Sequence, residues 1–258
     1  MFLNLFFSTA VAIFIYMTVW FLVSRLVKRN DIADLAWGLG FIVVVLTSLL
    51  GSEFYTLEQY LVYALVTIWG VRLALHIYMR IRKSSEDYRY KQMAESWGKN
   101  FAIRSYLQVF LLQGVFLYLI SLPVIWVGAF GASINLQTSD YLGVLIWIIG
   151  FGFETLSDYQ LSRFKSNPKN KGKIMQNGLW KYSRHPNYFG EVLSWWGIWL
   201  IAVSLPFGIL TIISPLTITV LILRISGVPL LEKKYEGNKL YEEYKKKTSK
   251  FIPLPPRK

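Results

Sequence analysis

The stretch LEQYLVYALVTIWGVRLALHIYMRIRK, Leu57 to Lys83, decides how this chain is read. Residues 57–79 are almost all apolar or aromatic, and then Arg80, Arg82 and Lys83 arrive together. A membrane-spanning helix needs ~20 mostly apolar residues. A basic cluster at one end marks the side of the membrane that end faces. Working outward, runs of the same kind stand at about 2–24, 34–51, 105–130, 139–161, 187–204 and 206–225. The expected fold is all-α: a polytopic membrane bundle of about seven transmembrane helices, one domain over residues 1–258. The first run lacks a basic flank before it and continues as a long span, so it does not read as a cleaved leader. Pro123 in the fourth run is a kink of the kind membrane helices tolerate. Ser204-Leu205-Pro206 is the tight turn between the sixth and seventh runs.

The composition agrees. The chain is 54% hydrophobic yet carries 28 Lys and Arg against 15 Asp and Glu, a net charge of +13. A soluble protein this apolar would have a mixed and modest surface charge. The conflict resolves when the apolar residues face lipid and the basic ones face one aqueous side. Arg25, Lys28 and Arg29 follow the first span; Arg80 to Arg104 and Arg163 to Arg184 fill two later loops; the rest lie in the tail. The opposite loops carry no Lys or Arg, only Glu53, Glu58 and Asp140. The positive-inside rule then places the N-terminus outside and the C-terminus in the cytoplasm. Topology accounts for the basic loops, so no nucleic-acid partner is expected. The tail from Leu230 to Lys258 mixes charges with Leu231, Tyr235, Leu240, Tyr241 and Tyr244, the pattern of an amphipathic helix at the headgroup level. Its closing Phe251-Ile252-Pro253-Leu254-Pro255-Pro256 cannot continue a helix.

Several chemistries are excluded. With no cysteine there is no disulfide, thiolate nucleophile or iron–sulfur cluster. His76 and His185 are the only histidines, HExxH is absent, and no metal site is expected. Walker A and GxSxG motifs are also missing. Gly38-Leu39-Gly40 lies in an apolar run without a third glycine, so it reads as helix packing.

Ionisable residues inside spans are costly and point to function by default. Arg72 and His76 share a face of the third span, and Glu154 and Asp158 share one at the end of the fifth. Glu191 lies in the sixth span and Arg224 at the end of the seventh. Asp31 and Asp34 open the second; Asp31, at the interface, reads as half of a structural ion pair. For Arg72, Glu154, Asp158 and Glu191 a polar cavity open to one side is the better account.

The densest polar chemistry is Asn177-Gly178-Leu179-Trp180-Lys181-Tyr182-Ser183-Arg184-His185-Pro186-Asn187-Tyr188-Phe189-Gly190-Glu191. Pro186 suits the first turn of a helix. The helix N-terminus, with Arg184 and His185 beside it, suits a phosphate or another anion. Asn187 and Glu191, one turn apart, offer a donor and acceptors to a flat amide. The preceding basic loop, Arg163 through Lys165 to Lys173, suits a polyphosphate or anionic lipid.

These residues resemble the DUF1295 family, related to the C-terminal domain of the steroid 5-alpha-reductases. The resemblance runs through Asp34-Leu35-Ala36-Trp37-Gly38, Trp69-Gly70-Val71-Arg72, Glu86-Asp87-Tyr88-Arg89-Tyr90 and Asp158 to Lys165. It is most specific in Arg184-His185-Pro186-Asn187-Tyr188-Phe189-Gly190-Glu191 and in Arg224 to Glu232. It implies an integral-membrane reductase that takes NADPH from the cytoplasmic side and delivers hydride to a carbon–carbon double bond of a lipophilic enone entering from the bilayer. With the lysine-rich, compact chain it also implies a bacterial inner membrane. Carried over by position, Asp158, Lys165, Lys173, Asn187 and Arg224 match cofactor-site residues, within residues 139–258 as the cofactor-binding half. The implied cofactor set is Glu154, Asp158, Arg163, Lys165, Lys173, Trp180, Tyr182, Arg184, His185, Asn187, Tyr188, Glu191, Arg224 and Glu232. Glu154 stands where the reductases have asparagine, and Glu232 near an expected tyrosine. On the substrate side the reductases polarise a ketone with a glutamate and a tyrosine from earlier spans; Asp34 is the best candidate for the acid, and Arg72 anchors the match on the third span. For the tyrosine, the gapless match gives Trp69, with Tyr78 as a substitute. A buried Asp34, kept protonated, would donate to the carbonyl.

A second reading is an S-adenosylmethionine-dependent methyltransferase resembling the isoprenylcysteine carboxyl methyltransferases, which share the Arg-His-Pro core and the tail pattern of Glu232, Tyr241 and Tyr244. A third is a non-enzymatic lipid-binding or transport protein. Asn187, Glu191 and the Asp158 to Lys165 block favour the reductase.

Overall fold

A computed structural model of the chain describes residues 2–52, 55–131 and 135–257. Glu53 lies outside the described residues. The described residues are helical, apart from their connections and one isolated bridge between Ser183 and Ser249. Six helical stretches are long and apolar enough to cross a membrane: Leu3–Val27, Ile32–Gly51, Leu57–Lys83, Tyr88–Ile120, Thr138–Ser166 and Gly208–Lys234. The expected span at 187–204 is present as a shorter helix, Pro186–Ala202, of 17 residues, the lower end of the lengths that cross a bilayer. Pro186 sets the start of the short helix, and a turn with Phe207 at φ +56° follows its end.

The chain forms two compact units. The first comprises residues 1–137 and 202–214; the second comprises 138–201 and 215–258.

The first unit holds α1 (Phe2–Val27), α2 (Ile32–Gly51), α3 (Leu57–Lys83), the short α4 (Tyr88–Trp97) and α5 (Phe101–Ser105). A π-helical stretch, Tyr106–Leu111, leads into α6 (Leu112–Ile120), and α7 (Leu122–Phe130) follows a break at Ser121. That break is the expected kink, with Pro123 in the first turn of α7, where its missing N–H costs no helical bond. α3 starts where it does because Thr56 and Gln59 form a capping box, each side chain accepting from the other's backbone N–H. α2 and α3 touch backbone to backbone at Gly38 and Gly70: a Cβ on Gly70 would stand 2.8 Å from the Gly38 carbonyl oxygen. Small residues at such crossings are how membrane helices approach closely. Beside this contact, Phe41 packs edge-on against Trp69 at 5.1 Å. Along α1, Leu3, Phe7, Phe14, Leu22 and Leu26 are exposed, a stripe suited to lipid.

The second unit holds α8 (Thr138–Ser166) and α9 (Pro186–Ala202). The chain from Pro215 completes α10 (Ile213–Val220), passes a π-helical turn, Leu221–Ile225, and ends in α11 (Val228–Lys234) and α12 (Lys239–Lys247). The expected single amphipathic tail helix is thus two short ones. Tyr235–Asn238 breaks it, with Gly237 at φ +78°, and Asn238 caps α12 by accepting from the Tyr241 N–H.

Candidate functional site

The site of the second unit begins with four glycines. On α8, Gly143 and Gly150 are seven residues apart; on α9, so are Gly190 and Gly197. A Cβ on Gly143 would stand 2.7 Å from the Gly197 carbonyl oxygen, and one on Gly150 the same distance from that of Gly190. A Cβ on Gly190 would collide with the backbone of Glu154 and Gly150. The two antiparallel backbones therefore lie in contact over two turns, and the register is fixed. Residues one and two turns beyond Gly150, Glu154 and Asp158, continue the same face. Asn187, one turn before Gly190, meets them: its Nδ2 donates to Asp158 Oδ1 at 3.1 Å. That bond orients the amide, and leaves Asn187 Oδ1 buried with no partner in the protein. Glu154 is buried on α8, and Glu191 is half-buried one turn into α9.

The segment before α9 is fastened to α8. Trp180 Nε1 donates to Ser157 O at 3.0 Å, and the Leu179 N–H to Gln160 Oε1 at 3.0 Å. Gly178, at φ +62°, makes this possible, since a Cβ there would stand 2.5 Å from Gln160 Oε1. The tail then folds over the segment. Tyr244 OH donates to the Trp180 and Ser183 carbonyls, Ser183 Oγ to Phe251 O, the Arg184 N–H to Ser249 O, and the Leu254 N–H to Tyr182 O.

Arg184 is the pin of this clasp. Its Nε and one terminal nitrogen both donate to Glu232 Oε1, at 3.0 and 2.8 Å. The other terminal nitrogen donates to the carbonyls of Lys245 and Thr248, at 3.2 and 3.0 Å. Four of a guanidinium's five N–H groups are thus engaged within the protein. The sequence reading aimed Arg184 at a phosphate; the geometry makes it a strut between α9, α11 and the tail. His185 Nε2 lies 3.3 Å from the same Glu232 oxygen, and its ring stacks on Tyr188 at 5.7 Å. Burial pushes the His185 imidazole below its ordinary range, against the opposing hydrogen bond and charge of Glu232.

Beside this clasp is a cavity of about 410 Å³, within the range that takes small ligands and cofactors. Its rim is cationic, with Lys165, Lys171 and Lys173; its wall is aromatic, with Trp180, Tyr235, Tyr241 and Tyr244; its polar end is Arg184 and His185. Tyr235 and Tyr241 are stacked at 4.7 Å.

Of the expected cofactor residues, Lys165, Lys173, Trp180, Arg184 and His185 line this cavity. Glu232 and Tyr188 hold His185, while Asp158 and Asn187 form their own pair. Arg163, Tyr182 and Arg224 are exposed and lie outside the cavity lining; Arg224 sits in the π-helical turn. Lys171, Tyr235, Tyr241 and Tyr244 were missed as site residues. Their signal was visible: the tail tyrosines at 241 and 244 share a helix face, but that face reads equally as one laid on lipid.

The substrate-side candidates belong to the first unit. Asp34 accepts from Arg80 and Arg89, each at 2.9 Å, and from Tyr90 OH at 2.8 Å. Its oxygens thus act as acceptors, whereas the expected role required a donor. Arg72 is half-buried in α3. Tyr78 is exposed, with the Arg82 guanidinium 5.7 Å over its ring, and six residues from Arg72 it points about 120° away around the helix. The tyrosine that the geometry pairs with Asp34 is Tyr90, which sequence matching did not select. Asp31 is the structural ion pair that was expected: Arg29 grips both its oxygens, at 2.9 and 2.7 Å, and the Asp87 N–H donates to it at 3.1 Å.

Comparison with known proteins bears on both units. The family described as "Protein of unknown function (DUF1295)" matches residues 20–248. An uncharacterized protein of Schizosaccharomyces pombe is 26% identical over 219 residues, 73% of this chain and 61% of its own length. The 3-oxo-5-alpha-steroid 4-dehydrogenase 2 of Sus scrofa is 35% identical over 97 residues, 37% of this chain and 35% of that protein. Its counterpart in Homo sapiens is 37% identical over 65 residues, 25% of this chain and 26% of that protein. The chain thus spans less than two thirds of the length of each of these relatives. No solved structure matches. The chain belongs to the DUF1295 family.

Proposed function

We propose that this member of the DUF1295 family is an integral-membrane, NADPH-dependent reductase that transfers hydride to a carbon–carbon double bond of a lipophilic enone. The observation that carries this reading is the second unit's cavity, cationic at its rim and aromatic along its wall, together with the Asp158–Asn187 pair on the glycine-packed helices. The similarity to the steroid 4-dehydrogenases supports the reaction class.

The residues present fit a dinucleotide. Lys165, Lys171 and Lys173 supply positive charge for its phosphates, and the tyrosine wall supplies flat surfaces for a base. Asn187, its Nδ2 committed to Asp158, keeps Oδ1 for a carboxamide N–H. Bound there, NADPH would supply the hydride. Three lysines at the rim suit a polyphosphate better than the sulfonium cation of S-adenosylmethionine. In the first unit, Tyr90 is the O–H held by Asp34, and Arg80 and Arg89 stabilise the carboxylate that aligns it. The basic loops face the cytoplasm, and the N-terminus lies outside.

The test is turnover. Purified protein is mixed with NADPH and a panel of lipids carrying a 3-oxo-4-ene group, and the products are analysed by mass. The expected product is two hydrogens heavier than the substrate, and Asn187→Ala raises the NADPH concentration needed for turnover about tenfold. Methyl transfer from S-adenosylmethionine to a lipid, with no reduction of any enone, would overturn the reading.

A further inference from the structure

Resting on the nucleotide-binding reading above, we propose that His185 offers its Nδ1 lone pair to a hydroxyl or amino group of the nucleotide in this cavity, with Glu232 holding the ring as the Nε2–H tautomer.

The tautomer follows from the neighbours. An ionised carboxylate only accepts hydrogen bonds, so the His185 nitrogen 3.3 Å from Glu232 Oε1 carries the proton. In a neutral ring the other nitrogen is then an acceptor. That nitrogen, Nδ1, is buried with no hydrogen-bond partner in the protein, and His185 is 2% exposed while lining the cavity. Buried acceptors are nearly always satisfied, by protein, water or ligand. Arg184 and the rim lysines are donors. Arg184 is bound to Glu232 and the tail, and the rim is lysine. Nothing among these accepts from a ligand hydroxyl or amine, so His185 Nδ1 complements chemistry the lysines and Arg184 do not provide.

The surroundings also set its pH response. Facing the ring are Glu232 from α11, Tyr188 from α9, Arg184 beside it in the chain and Lys250 from the tail; Tyr241 from α12 adjoins Arg184 and Glu232. Burial, the two cations and Glu232 together leave the imidazole below its ordinary range, hence neutral at pH 7. Protonation at lower pH places a hydrogen on Nδ1 and turns the acceptor into a donor, opposing the same ligand group.

Two substitutions separate the ring's two nitrogens. His185→Gln keeps a donor for Glu232 and removes the Nδ1 acceptor. His185→Asn keeps an acceptor at the Nδ1 position and loses the reach to Glu232. Binding of NADP⁺ to the detergent-purified full chain is measured at pH 7.5, and thermal melts without nucleotide check folding. The expected result is about tenfold weaker binding for His185→Gln and less than about threefold for His185→Asn. The ratio of wild-type to His185→Gln affinity, in which titration of the nucleotide cancels, should fall toward one as pH drops from 7.5 to 5. Equal affinity of wild type and His185→Gln across that range overturns the inference and leaves the nucleotide site standing. Should His185→Gln not fold, the wild type alone decides by its affinity for ADP-ribose, whose pyrophosphate keeps its charge there. A pH-independent affinity overturns the inference. No binding of NADP⁺ or ADP-ribose to the folded wild type overturns both this inference and the site.

Discussion

Arg184 shows how a residue's chemistry and its role separate. As a cation beside a helix N-terminus it reads as a phosphate ligand. Its partners, Glu232 and the Lys245 and Thr248 carbonyls, come 48, 61 and 64 residues later, too far for a local pattern to reveal. Arg184→Ala therefore removes a buried strut and leaves Glu232 without its guanidinium. It should cost about 3 kcal/mol in thermal stability even with no ligand present. Arg184→Lys should rescue little, since an ammonium lacks the planar fork. A variant as stable as wild type would mean the clasp carries no load. His185 adds a pH dependence. Its folded pKa is depressed, so the unfolded chain binds more protons, and stability present above the ordinary imidazole value of 6.5 is lost as pH falls through the lowered folded value. Melting temperature without ligand should fall on acidification below pH 6.5 in wild type and fall less in His185→Gln. Asp87, outside the spans, acts lower: burial alone would raise its carboxyl, but hydrogen bonds from Arg89 and the charges of Arg89 and Arg80 outweigh it and hold it down.

At the scale of elements, the helices were legible because apolar run length is a one-dimensional property. Their contacts were not. Gly143, Gly150, Gly190 and Gly197 stand on two helices, and only the antiparallel register turns them into one seam. Gly190→Ala should cost about 2 kcal/mol, because the added methyl meets the backbone of Glu154 and Gly150 rather than a side chain that can move. It should also weaken nucleotide binding, since Asn187 and Asp158 depend on that register. Gly152, on α8 with open space around its missing Cβ, is the control: Gly152→Ala should be neutral or gain about 0.5 kcal/mol. Equal effects of the two substitutions in melting experiments would rule out the seam. The tail was half legible. Residues 251–256 lie outside the helices as expected, but the face of Tyr241 and Tyr244 turns toward protein, because the Tyr244 hydroxyl finds partners in Trp180 and Ser183 and the Tyr241 ring stacks on Tyr235.

At the scale of the whole molecule, the excess of positive charge has two uses. In the proposed topology most of it orients the chain; Lys165, Lys171 and Lys173 also line a cavity. The orientation is testable without background, because the chain has no cysteine of its own. A single cysteine at Lys99 or Lys239 should be blocked by an impermeant thiol reagent only after cells are opened, and one at Tyr55 should be blocked in intact cells. The opposite pattern would invert the topology and place the cavity on the outer side, away from cytoplasmic nucleotide. The central claim, that the second unit is a site for a phosphorylated dinucleotide, has a more direct test. The detergent-purified chain is melted with NADPH, NADH or S-adenosylmethionine, since a ligand of the native state stabilises it by about 2.7 kcal/mol at a hundredfold excess over Kd. The account predicts a raised melting temperature with NADPH, reduced in Asn187→Ala and in a Lys165→Ala, Lys173→Ala double variant. Stabilisation by S-adenosylmethionine alone, with none by NADPH, would contradict it.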